Sequence, residues 1–129
     1  MAKKRILVVE DSPAIAEMVK DHLSEAGYEV FVVHNGFEAL RDLEEIMPDL
    51  ILTDIMMPKV DGLELCAAMQ NRLETKDIPF ILFSSRFDEE TVAQGREIGA
   101  RFFIAKPFKM ETLLASVKKV FDQEDSLTP

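Results

Sequence analysis

Apolar residues fall in five short runs, at 6–9, 30–33, 50–52, 80–83 and 102–105. Longer stretches between them bring an apolar residue back every three or four positions. The first, third and fourth runs are continuous rather than alternating, the pattern of strands covered on both faces in a parallel sheet. The first helical stretch has Ser12 as N-cap, Pro13 at the first helical position and Gly27 at its end, with a stripe of Ile15, Met18, Val19, Leu23 and Ala26. The second carries Phe37, Leu40, Leu43 and Met47 and stops at Pro48; the third carries Leu63, Cys66, Met69 and Leu73. A weaker fourth spans 88–98, with Gly95 inside and Gly99 at its end, and the fifth carries Leu113, Leu114, Val117, Val120 and Phe121. Strand then helix, five times over, predicts an α/β fold: a doubly wound, five-stranded parallel sheet with right-handed crossovers and helices on both faces. One domain is expected over 1–122, followed at 123–129 by a short polar tail or truncated linker.

Composition narrows the function. The chain has 129 residues, enough for one domain that needs no disulfide or structural metal to fold. Fifteen Lys and Arg against 24 Asp and Glu give a net charge of −9, which excludes a broad nucleic-acid footprint for this domain. Its single cysteine cannot form an internal disulfide, and Cys66 shares a face with Leu63 and Met69, so it reads as packed core. The basic start is followed by only four apolar residues, too few for a signal peptide or membrane span, so a cytoplasmic location is expected.

In an open α/β sheet, ligands bind beyond the carboxyl ends of the strands where strand order reverses. Glu10 and Asp11 follow the first run, Asp54 the third, Ser84 and Ser85 the fourth, and Lys106 with Pro107 the fifth. If the order is 2-1-3-4-5, the first and third strands are neighbours and Glu10, Asp11 and Asp54 meet in one pocket. Two like charges about 4 Å apart repel by on the order of 4 kcal/mol at an effective dielectric near 20. Either one carboxyl is protonated, or a cation fills the site, or all three point into water. An all-oxygen ligand set suits Mg²⁺. With Lys106 and a serine hydroxyl opposite, the layout is that needed to stabilise a transferring phosphoryl group.

Val9-Glu10-Asp11-Ser12, Asp54-Ile55-Met56-Met57-Pro58, Asp61-Gly62, Ser84-Ser85 and Lys106-Pro107-Phe108 together resemble the receiver domain of two-component response regulators, over residues 4 to about 121. The resemblance implies a flavodoxin-like fold of order 2-1-3-4-5. It implies Asp54 as phosphoacceptor from a phosphohistidine of a sensor histidine kinase or phosphotransfer protein. Mg²⁺ would be held by Asp11, Asp54 and the Met56 backbone carbonyl, with Glu10 acting through water. Lys106 would pair with Asp54 and precede a cis peptide to Pro107. The Ser84 hydroxyl would turn toward the phosphoryl group, and Phe103, at the switch-aromatic position, would rotate inward behind it. A downstream effector or fused output domain would read the face made by helix 4, strand 5 and helix 5, which also admits a phosphorylation-dependent dimer. The implied protein is not an enzyme beyond catalysing its own phosphorylation and dephosphorylation.

This sequence departs from the family pattern in several places. Phe103 lacks the hydroxyl of the commoner Tyr, Glu10 is longer than the commoner Asp, Phe102 stands where a small or polar residue is usual, and Lys109 is a poor helix cap. Met56 and Arg86 occupy positions that in the family tune acyl-phosphate lifetime. Asp11 alone passes equally well as a helix cap, and Lys106 alone as a solvated lysine; it is the set that carries the reading. His22 and His34 read as solvated, with no partner at metal or catalytic spacing. Two alternatives stand beside the switch: a receiver-fold interaction module that is never phosphorylated, disfavoured by the intact acid set, and a Mg²⁺-dependent phosphohydrolase, disfavoured because Met56 rather than an acid stands two residues after Asp54.

Overall fold

The computed structural model describes residues 3–57 and 60–127. Strands β1 (Arg5–Val9), β2 (Glu29–Val33), β3 (Leu50–Asp54), β4 (Phe80–Ser84) and β5 (Phe102–Ala105) alternate with helices α1 (Pro13–Glu25), α2 (Gly36–Ile46), α3 (Gly62–Gln70), α4 (Glu89–Ile98) and α5 (Met110–Leu127). All pairings are parallel, in the order β2-β1-β3-β4-β5, as the resemblance implied. The side-chain period of two divides each central strand between two cores. Ile6, Val8, Leu50, Leu52, Ile81 and Phe83 face Val19 and Leu23 of α1 and Val117 and Val120 of α5. Leu7, Val9, Ile51, Phe80 and Leu82 face Ala39 and Leu43 of α2 and Leu65, Cys66 and Met69 of α3. The continuous apolar runs of β1, β3 and β4 therefore reflect burial on both faces.

Register places the chemistry. Val9 pairs with Thr53, so the next residues, Glu10 and Asp54, lie level at the carboxyl rim. Asp54 pairs with Phe83 and Ser84 with Ala105, so Ser84 is one residue and Lys106 two residues further out.

Several helical expectations are corrected. The buried stripe of α2 is Gly36, Ala39 and Leu43, capped by the Asn35 side chain, and this rotates Phe37 off the core to 61% exposure. Met47 is the left-handed cap of α2 (φ 49°) rather than part of its stripe, and it is 51% exposed. Leu73 lies beyond α3 and is 81% exposed. Its amide would need the Met69 carbonyl to continue the helix, but that oxygen already accepts from the Thr75 hydroxyl at 2.8 Å and the Arg72 N–H at 3.2 Å. The expected polar tail begins as helix, since α5 continues to Leu127. Arg101 bonds Gln123 at 3.3 Å and pairs with Glu124, and Lys4 pairs with Asp125 at 3.5 Å, so polar residues that look tail-like by hydropathy have partners on the domain.

Candidate functional site

The site is built on two strand ends. Ser12, not Asp11, caps α1, its hydroxyl accepting from the Ile15 N–H at 3.5 Å. This frees the exposed Asp11 from the alternative role of helix cap. Glu10 is fully buried, and one of its carboxylate oxygens accepts from the Ser12 N–H at 3.1 Å. Asp54 ends the fully buried β3, and its Oδ1 accepts from the Met56 N–H at 3.0 Å. The loop after β3 returns so closely that a Cβ on Gly62 would lie 2.4 Å from the Asp54 carbonyl oxygen, which requires glycine there. The Asp61–Glu64 capping box then starts α3. Glu10, Asp11 and Asp54 each present a carboxylate oxygen within 4.8 Å of the others. Pro58, part of the motif, lies outside the described residues.

Lys106 reaches back across the rim. Its Nζ donates to Asp54 Oδ2 at 2.8 Å and to Glu10 Oε1, and lies 5.1 Å from the centre of the Phe83 ring. The Lys106–Pro107 peptide is cis, as the resemblance implied. The pairing with Asp54 was expected; the equally direct pairing with Glu10 was not, because it depends on a side chain crossing over β3. Burial pushes the Glu10 carboxyl above its usual range, opposed by the Lys106 and Ser12 donors. Burial works against the Lys106 ammonium, but its bonds to Asp54 and Glu10 outweigh this and hold its pKa above the ordinary value. Three carboxylates against one ammonium leave a formal charge of −2 at the rim. That surplus and the all-oxygen donor set fit a hard divalent cation such as Mg²⁺.

The opposite wall is neutral. Ser84 is buried, and its hydroxyl both donates to the Arg86 carbonyl at 3.1 Å and accepts from the Arg86 N–H at 3.2 Å, so it is engaged by its own loop. Phe103 packs edge-on against Phe87, ring centres 5.6 Å apart, and lies under α4, where a Cβ on Gly95 would come within 2.6 Å of its Cε1. Phe102 belongs to the other core, so the adjacent aromatics do face opposite sides of β5. Met56, Ser85 and Arg86 are exposed around the site. His34 is solvent-exposed as expected, and its ring also meets the backbone of the site. Its ring Nδ1 is 3.1 Å from the Glu10 carbonyl oxygen. Its position at the carboxyl end of the second strand was the one signal that could have found it.

A doubly wound sheet whose first and third strands bring carboxylates together at the carboxyl rim, with a lysine closing over them, defines a class of acidic α/β switch-point sites. The family described as response regulator receiver domain matches residues 6–118, and the chain belongs to it. It is 38% identical over 114 residues to the phosphate regulon transcriptional regulatory protein PhoB of Rhizobium meliloti, covering 88% of this chain and 50% of that protein. Protein PilG of Pseudomonas aeruginosa is 34% identical over 114 residues, covering 88% of this chain and 84% of PilG. The structure of a CheY-like response regulator receiver domain protein from Methanospirillum hungatei superposes with a TM-score of 0.91 at 29% identity, covering 97% of this chain and 98% of that one. The chain spans about half the length of several curated regulators it matches. Among the described residues, no helix is long and apolar enough to cross a membrane.

Proposed function

We propose that the protein is a phosphorylation switch in which Asp54 accepts a phosphoryl group from a phosphohistidine of a sensor kinase or phosphotransfer protein. One Asp54 carboxylate oxygen bonds to phosphorus as the phosphorus–nitrogen bond breaks, and the imidazole leaves with the electron pair and takes up a proton from solvent. Water later cleaves the acyl phosphate, so the protein promotes its own cycle and turns over no separate metabolite. The observation that carries this reading is the Asp54 carboxylate at the end of the central strand, 2.8 Å from the Lys106 ammonium and beside two further carboxylates. Asp11, Asp54 and the Met56 carbonyl would hold Mg²⁺, with Glu10 joining through water; a bound divalent cation supplies charge neutralisation for the incoming phosphoryl oxygens.

Lys106 holds the nucleophile and then the added negative charge. Ser84 releases the Arg86 backbone to bond a phosphoryl oxygen, and Phe103 follows into the space that Ser84 vacates. The face of α4, β5 and α5 carries the change to an effector or to an output domain on the same polypeptide. The receiver unit, with α5 carried past residue 122 to Leu127, works in the cytoplasm.

Incubation with Mg²⁺ and a small acyl-phosphate donor tests the reading. Mass spectrometry should show a labile adduct of one phosphoryl group, absent in Asp54→Ala and absent with excess chelator. An unmodified protein with both that donor and a phosphorylated kinase, or an unchanged adduct in Asp54→Ala, would overturn it.

A further inference from the structure

His34 lies at the edge of the acidic crevice, its ring Nδ1 3.1 Å from the Glu10 carbonyl oxygen. The Glu10–Asp11 peptide has to aim two carboxylates at one point, yet Asp11 is exposed and does not cap α1. The backbone around that peptide is therefore what orients Asp11. Two bonds tie it to the end of β2: the Glu10 N–H donates to the Val33 carbonyl at 3.1 Å, and the Glu10 carbonyl lies 3.1 Å from His34 Nδ1. A carbonyl can only accept, so Nδ1 carries the proton in this contact. His34 is fixed in turn, because its own N–H donates to the Glu38 carboxylate at 2.8 Å and the Glu38 N–H donates to the Asn35 cap at 2.8 Å. The first turn of α2 thus reaches the acidic crevice through one imidazole.

We infer that His34 is a positioning residue that fixes the Glu10–Asp11 peptide plane and so sets the affinity of the crevice for a divalent cation. The inference rests on the assignment of Asp11 and Asp54 as cation ligands. Residues that orient ligands without touching the ion commonly affect affinity as well as stability. Losing one neutral hydrogen bond corresponds to about a three- to tenfold weakening. Asparagine can place an amide N–H near the position of Nδ1, so His34→Asn should keep the bond that His34→Ala loses.

Isothermal titration of the full chain with Mg²⁺ gives the test. The wild type should bind, Asp11→Asn should bind far more weakly, His34→Ala should bind about three- to tenfold more weakly, and His34→Asn should stay close to wild type. His22→Ala is the control, since that ring hydrogen-bonds the Met18 carbonyl of its own helix, away from the acidic crevice. Thermal unfolding in chelator separates a structural role: a destabilised His34→Ala with undiminished Mg²⁺ affinity would overturn the inference. Equal weakening in His34→Ala and His34→Asn would also overturn it, because the donated bond would then not be the cause. If neither the wild type nor Asp11→Asn bound Mg²⁺, the ligand assignment itself would fall.

Discussion

Helices α1 and α4 flank the same sheet and differ little in length, 13 residues against 10, yet they are held in different ways. α1 buries Ala16, Val19 and Leu23, and its start is fixed by Ser12. α4 buries only Gly95, which has no side chain, while Thr91, Val92 and Ile98 are half-buried. One helix is anchored by apolar side chains, the other by close approach of its backbone to Phe103 and Leu82. Segments with few buried apolar contacts open at lower free energy than the global transition. The site divides along the same line. Glu10 and Asp11 sit between β1 and the well-anchored α1, whereas Ser84 and Phe103 lie next to or under α4. A receiver built this way can hold its chemistry still while the neutral wall and its helix shift.

The largest test of that contrast is a pair of truncations. Leu23 is fully buried, so Leu23→Ala should cost about 2–5 kcal/mol in denaturant unfolding. Ile98 is half-buried, so Ile98→Ala should cost about 1–2 kcal/mol. Hydrogen exchange in the wild type should find amides of α4 opening at lower free energy than those of α1. Equal protection in both helices would remove the physical basis for assigning motion to α4.

Gly95→Ala sharpens the contrast at a single atom. Alanine favours a helix interior over glycine by about 0.5–1 kcal/mol. The added Cβ would sit 2.6 Å from Phe103 Cε1 and 2.9 Å from Leu82 Cδ1, and such overpacking costs about 1–3 kcal/mol. The clash wins, so net destabilisation of about 1 kcal/mol is expected. In a Phe103→Ala background the closest clash is gone and the same substitution should be neutral or stabilising. A double-mutant cycle measures the coupling. Additive effects would mean that α4 is not seated on Phe103.

The contrast between the helices was only partly visible in the sequence. The fourth helical stretch reads as the weaker one, with Gly95 inside it, and in the structure it buries little apolar side chain, which leaves it loosely anchored. The three central strands were visible because burial on both faces leaves continuous apolar runs, and Glu10, Asp11, Asp54 and Lys106 because reactive side chains lie just past the ends of the strand runs. What escaped depends on contacts between distant positions. Lys106 meets Glu10 across 96 residues of sequence, and His34 finds the Glu10 carbonyl only once β2 lies beside β1. The end of α3 was misplaced because Leu73 keeps the helical period, while the Thr75 hydroxyl and the Arg72 amide take the carbonyl its amide would need. The polar residues after Asp122 look like a tail until Arg101 and Lys4 supply their partners.

That last segment is a third kind of anchoring, by charge at the surface, and it gives the smallest expected effect. Arg101 precedes β5 and reaches Gln123 and Glu124 on α5, with both partners of the ion pair 30% exposed. A pair this accessible contributes about 0.2–1 kcal/mol, so Arg101→Ala should barely move the global unfolding midpoint. It should instead speed amide exchange near the end of α5 and leave α1 and α4 unchanged, because the Lys4–Asp125 pair is still longer and more exposed and cannot take over. Screening shortens to about 3 Å at 1 M salt, so high salt should reproduce much of the effect in the wild type and add little in Arg101→Ala. If exchange there proved insensitive to both the substitution and salt, the helix would be held by the contacts of Phe121 with Tyr28 and Lys4 instead, and the end of α5 would belong with α1 among the parts anchored by buried side chains.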